Sequence, residues 1–177
     1  MAILSIFNYP QRILRVTSSP VREIDLKIRR LAADMIDTMI DANGLGLAAP
    51  QVGQNIRLAV VDFDCENHSP QVLINPVIIR RSREKEEAEE GCLSFPGIRG
   101  PVKRPVRVTC QALNLDGELV EYQCEDLTAR AIQHEIDHLD GLLFIDKIGP
   151  SDRLVLREAI EDLESTFDTL HAMGGQN

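Results

Sequence analysis

Gln133-His134-Glu135-Ile136-Asp137-His138 sets two imidazoles four residues apart, with a carboxylate beside the first. On an α-helix, at about 100° per residue, His134 and His138 lie about 40° apart around the axis and one turn apart along it. Glu135 then falls roughly 60° to 100° round from them, near enough to reach a water on a metal without ligating the metal. The segment offers two ligands and a base to one metal ion. Ile132, Ile136 and Leu139 support the helix, recurring at i, i+4 and i+7 on the side away from the histidines. Asp126 is read as its N-cap and Gly141 as its C′ residue. Five residues by themselves also fit two histidines that face solvent or fill a core, so other segments must discriminate.

The chain has 177 residues, which predicts a single domain over 1–177 that buries about 70% of the surface its unfolded form exposes. A net charge of −9 argues against a nucleic-acid or anionic-membrane surface, and Arg29-Arg30 reads as a solvated helix face. Met1 to Phe7 lacks a basic leader followed by a long apolar core, and no run of 18 apolar residues occurs. The expectation is a soluble cytoplasmic protein. Cys65, Cys92, Cys110 and Cys124 show no Cys-x-x-Cys pairing. Each reads as a reduced thiol, with Cys110 and Cys124 ordinary small apolar residues of strands.

Ile24, Ile28, Leu31, Met35 and Ala42 mark one side of an N-terminal helix of about four turns that stops near Asn43-Gly44. A glycine-containing loop follows. Strands are predicted over Leu58 to Phe63, Val77 to Ile79, Val106 to Leu113 and Leu119 to Cys124, the last two joined through Asp116-Gly117 as a hairpin. The run Arg80-Arg81-Ser82-Arg83-Glu84-Lys85-Glu86-Glu87-Ala88-Glu89-Glu90 reads mostly as a solvated loop. Leu156, Ile160, Leu163, Phe167 and Leu170 form a stripe on a C-terminal helix that packs against the body. Helix, strands, then helices make the fold class α+β.

A catalytic metal site takes three protein ligands and keeps one position open. Where His-Glu-x-x-His continues to Gly-x-x-His, the third histidine would stand at position 144, which is Phe144. Glu158, Glu161 and Glu164 are candidates for a downstream glutamate ligand, although the first two lie opposite the apolar stripe of their helix. His68 and His171 sit in a polar turn and near the chain end, where a histidine is more often surface than ligand. Cys92 remains, in Glu90-Gly91-Cys92-Leu93-Ser94, where the glycine lets backbone approach something closely. A thiolate there would make a Cys-His-His site, softer and more negative than a histidine-only one. Gly44-Leu45-Gly46-Leu47-Ala48-Ala49-Pro50-Gln51 superficially fits a dinucleotide fingerprint, but a helix precedes it and Pro50 leads towards a strand, the reverse of the required context.

These three segments, Gly44 to Gln51, Glu90 to Ser94 and Gln133 to His138, occur in the order in which the chain resembles peptide deformylase. Tyr9-Pro10 and Leu14-Arg15 extend the resemblance, which covers about Asn8 to Asp146. It implies small antiparallel or mixed sheets around a central metal-binding helix, with an N-terminal and a C-terminal helix. It implies hydrolysis of the N-formyl group from formylmethionine on nascent polypeptides, releasing formate, with no nucleic-acid or membrane partner and possible action at the ribosome. Cys92, His134 and His138 would be the metal ligands and Glu135 the general base. The Gln51 amide and the Leu93 N–H would hold the oxyanion, while Gly44, Leu45, Gly46 and Arg99 would line the substrate groove. Fe(II) would be the usual metal, with zinc or nickel able to take the same ligands. Arg130 and Ala131 stand where a more apolar pair would suit a methionine pocket, and Gly97-Ile98-Arg99-Gly100 leaves the groove rim undefined. Two other readings stay open: a zinc peptidase with a glutamate ligand such as Glu158, and a non-catalytic module whose metal has four protein ligands.

Overall fold

The structure, a computed structural model, describes residues 2–64 and 68–174, with side chains through residue 169. Asp25 accepts hydrogen bonds from the N–H groups of Lys27 and Ile28, both at 2.9 Å, and so caps α1 (Leu26–Asp41). Ala32, Met35 and Met39 form its buried stripe. Ile24 precedes the helix and Ala42 caps its end. The following elements are β1 (Gly46–Ala48), a 3₁₀ turn over Ala49–Val52, β2 (Leu58–Asp62), β3 (Pro70–Arg81), β4 (Lys85–Gly91), β5 (Arg99–Pro105), β6 (Arg107–Leu113) and β7 (Leu119–Glu125). After them come α2 (Asp126–Leu139), α3 (Pro150–Val155) and α4 (Arg157–Gly174).

All strand pairs are antiparallel, in a five-stranded sheet of order β1-β2-β3-β6-β7 and a two-stranded β4-β5 sheet. Every residue of β2 is buried, because successive side chains alternate between the two sheet faces and a helix covers each. Leu58 and Val60 pack with Met35 and Met39 of α1, whereas Val61 joins Ile132 and Ile136 of α2. The central helix therefore buries the stripe expected of it against the sheet. Its other side meets a third cluster, with Phe95, Phe144 and Leu143, into which Ile160 and Leu163 of α4 pack. Truncating Phe95 or Phe144, each about 1% exposed, removes about 3 to 5 kcal/mol of stability.

Several expectations change here. Asp126 opens α2 with φ +49 instead of capping it; Glu125 occupies the cap position and makes no side-chain cap bond. Gly141 ends the helix as read: at φ +74 its N–H bonds His138 O at 3.1 Å and the Leu142 N–H bonds Asp137 O at 2.9 Å, the paired closure that a left-handed C′ residue permits. β3 is far longer than Val77 to Ile79. Asn75 and Pro76 break its alternation at a bulge, where Asn75 bonds both the N–H and the carbonyl of Val21. The charged run is mostly strand, since β4 pairs from Lys85↔Pro105 to Gly91↔Arg99 and turns its acidic side chains to solvent while Glu90 is buried. The C-terminal stripe packs as expected through Ile160 and Leu163 of α4, but Leu156 precedes that helix, at the end of the short α3. The loop after α1 becomes β1 and its 3₁₀ turn.

Cys110 and Cys124 are buried in strands, where burial pushes their thiols up to about 12 and about 11. Cys65 and the His171 and Leu170 side chains lie outside the described residues. His68 Nδ1 pairs with Asp62 at 2.8 Å, and Arg30 is 84% exposed on its side chain, as a solvated face requires. Among the described residues no helix is long and apolar enough to cross a membrane.

Candidate active site

Helical spacing puts His134 and His138 on one face of α2 with ring centroids 5.0 Å apart. Cys92 arrives from the other sheet, just past the end of β4, and its Sγ lies 3.1 Å from His138 Nε2. The ligand atoms of Cys92, His134 and His138 all fall within 4.8 Å of one another, the one group of three such side chains among the described residues. Neither Glu161 nor Glu164 belongs to it, since they pair with Arg157 and Tyr9. Phe144, standing where a third histidine would be, stacks beside His134 at 6.3 Å and meets Phe95 edge-on.

Glu90 organises the rear of the site, a role the sequence reading did not give it. Its Oε2 faces His134 Nδ1 at 3.0 Å, leaving the other ring nitrogen for a metal. Arg104 donates Nε to Glu90 Oε1 (2.6 Å) and Nη2 to Oε2 (2.9 Å), and sends Nη1 to Asp137 Oδ2 at 2.7 Å. Burial by itself would raise the Glu90 carboxyl, but the bonds with His134 and Arg104 outweigh it and hold the group at about 2. For His134 burial works downward, yet the adjacent Cys92 and the bonded Glu90 carry the imidazole well above its ordinary value. Burial and the neighbouring His134 charge keep His138 well below it. The sequence signal for Arg104 and Asp137 is faint: an arginine amid an exposed hairpin and an aspartate between two histidines.

Glu135 is 4% exposed, and its Oε2 has no hydrogen-bond partner among the described residues. Burial pushes this carboxyl up to about 7. Gln51 is fixed by Ala48, whose N–H donates to Oε1 at 2.8 Å, so the amide NH₂ is turned to Ser94 Oγ (3.2 Å) and Cys92 Sγ (3.5 Å). A cavity of about 520 Å³ opens here, lined by Gly44, Leu45 and Gly46 on one side and by Leu93, Arg99 and Leu127 among others. The close approach foreseen at Gly91 is made by Arg99, whose side chain lies across it. Arg130 lines the cavity too, but its guanidinium is spent on protein acceptors.

Three donors, S, N and N, beside a buried carboxylate oxygen fit a metal site with one open position, and among the described residues no fourth side chain joins the group. Gly46 makes that carboxylate's place: a Cβ there would sit 2.8 Å from both Cγ and Cδ of Glu135. Gly46→Ala is therefore expected to lower kcat/KM by about 10²-fold, the scale of an ångström's misplacement, without loss of metal. Steady-state kinetics with metal analysis checks this, and wild-type kinetics would show that Glu135 does not depend on the glycine.

Comparison with known proteins agrees with this geometry. The pattern of the polypeptide deformylase family matches residues 3–154. Curated relatives include the peptide deformylase of Desulforudis audaxviator, 50% identical over 83% of this chain and 94% of its own length. That of Acinetobacter baumannii is 45% identical over 92% of this chain and 93% of its own. The crystal structure of plant peptide deformylase PDF1B superposes with a TM-score of 0.91 at 38% identity, covering 94% of this chain and 91% of that one. The chain belongs to the polypeptide deformylase family, metal-dependent enzymes that remove the formyl group from an N-terminal methionine.

Proposed function

We propose that Cys92, His134 and His138 hold one divalent metal, that Glu135 is the general base, and that the Gln51 amide and the Leu93 N–H receive the oxyanion. The observation carrying this is the convergence of the three donors within 4.8 Å next to the partnerless buried Glu135 oxygen. The metal, when bound, supplies Lewis-acid activation of a water and of the formyl carbonyl at neutral pH. Glu135 takes the water's proton as the new C–O bond forms, a contribution of about 10² to 10⁴ in rate. Gln51, its carbonyl pinned by Ala48, presents its NH₂ to the developing oxyanion, and Leu93 adds its backbone N–H. Each well-placed donor contributes about 3 to 4 kcal/mol. Glu135 then passes the proton to the leaving amine as the C–N bond breaks, giving formate and a free α-amine. Gly44, Leu45, Gly46 and Arg99 form the walls along which the peptide lies.

The substrates in this reading are nascent formylmethionyl peptides met at the ribosome in the cytoplasm. The chain acts as one domain over 1–177, and its net charge of −9 requires no nucleic-acid surface of its own. The metal is Fe(II), with zinc and nickel fitting the same ligands. If Fe(II) were held there, O₂ would supply the oxidant and Fe(II) the easy one-electron reductant, and the Cys92 thiolate would be open to oxidation towards sulfinic and sulfonic acid, a route Ni(II) would not provide. Iron-loaded protein is therefore expected to lose activity in air and keep it under nitrogen, while nickel-loaded protein survives both. Activity half-lives and the mass of the Cys92 peptide measure this. Equal half-lives for iron, nickel and zinc forms in both atmospheres would overturn the iron assignment.

A further inference from the structure

We propose that Arg130 is a positioning residue that staples the β4–β5 hairpin carrying Cys92 to the helix carrying His134 and His138. The inference rests on the ligand assignment made above. A two-stranded hairpin is at best marginally stable by itself, and here it must hold a sulfur within 3.1 Å of an imidazole on a different element. Arg130, His134 and His138 follow one another at i, i+4 and i+8, so the guanidinium lies on the ligand face of α2. Its Nη1 donates to Glu90 Oε1 and to Val102 O, both at 2.8 Å, and its Nη2 donates to Glu86 O at 3.0 Å. Those acceptors span both strands, β4 through Glu86 and Glu90 and β5 through the fully buried Val102. Glu90 stands two residues before Cys92 and itself faces His134.

Other bonds between helix and hairpin do not replace this one. Arg104 runs from β5 to Asp137, His134 meets β4 only at the Glu90 side chain, and Gln133 Nε2 reaches Pro105 O at the far end of β5 (3.0 Å), which among the described residues leaves the β4 backbone to Arg130. The planar fork is what lets one side chain serve three acceptors; a lysine keeps the charge but offers a single nitrogen. Charge and geometry then separate cleanly. Removing a cation near the centre would by Coulomb's law alone tighten a bound metal, so weaker binding in both Arg130→Lys and Arg130→Met reports lost positioning.

The test titrates full-length protein with Co(II) against a competing chelator, records the cobalt absorption bands and follows amide exchange in β4. Arg130→Lys is expected to raise the Co(II) dissociation constant about tenfold, the low end for losing a supporting contact, with shifted bands, faster exchange over Lys85 to Gly91 and an unchanged circular dichroism spectrum. Arg130→Met is expected to do at least as much. Should it not fold, Arg130→Lys carries the test by itself. Wild-type cobalt affinity and β4 exchange in Arg130→Lys would overturn the staple. Cys92→Ala runs in parallel: if it loses cobalt while the Arg130 variants bind normally, only the staple fails. If it keeps cobalt with unaltered bands, the ligand assignment fails and takes the staple with it.

Discussion

Glu135→Gln is expected to keep its metal and lose activity by about 10² to 10⁴, the usual contribution of a positioned general base. The amide preserves shape in the pocket beside Gly46, where there is no room for a larger group. It cannot take up a proton at neutral pH, and it places either a carbonyl or an NH₂ where Glu135 Oε2 has no partner among the described residues. Because Glu135 is not among the three grouped ligands, metal content should not follow activity downward. Metal analysis and turnover on a formyl-Met-Ala-Ser peptide decide the matter. Turnover near that of the unaltered enzyme would remove Glu135 from the base role.

The second large effect falls on Cys92. Cys92→Ala deletes the sulfur donor of the group and leaves two imidazoles, His138 with no partner at Nδ1 among the described residues to strengthen it. Metal affinity should fall by more than the roughly 10- to 100-fold that losing a supporting contact costs, so dialysed protein should come out nearly metal-free. Glu90 would remain buried and satisfied by Arg104 and Arg130, so the fold should persist. Elemental analysis together with a thermal melt tests both halves. A dialysed variant still holding one metal per chain would point to a carboxylate ligand in place of the thiolate.

The site was legible wherever its chemistry sits in one short stretch. His134, Glu135 and His138 are spaced by the helix itself, and Ile132, Ile136 and Leu139 mark the opposite face, so sequence order and helical period suffice. Cys92, Gln51 and Gly46 were reached by recognising segments, because nothing along the chain says that a residue just past β4 meets a helix more than 40 positions away. Glu90 was hidden in a run of charges that resembled a solvated loop. One glutamate of that run is buried while its neighbours face water, and only pairing between β4 and β5 makes the distinction.

Sequence alone therefore determined the α+β class, the helix that carries His134, Glu135 and His138 on adjacent turns, the hairpin at Asp116-Gly117 and the packed stripe of the C-terminal region, since each rests on a local period or turn chemistry. Tertiary structure decided the rest: that β3 runs through a bulge at Asn75-Pro76, that the buried Glu90 and Arg104 and the half-buried Asp137 lie behind His134, and that Arg130 turns its charge away from the cavity. The physical reason is the same in each case. A buried charge or a broken alternation is tolerable only when distant groups satisfy it, and Arg104 and Arg130 reach Glu90 from sequence separations of 14 and 40, which no local pattern encodes.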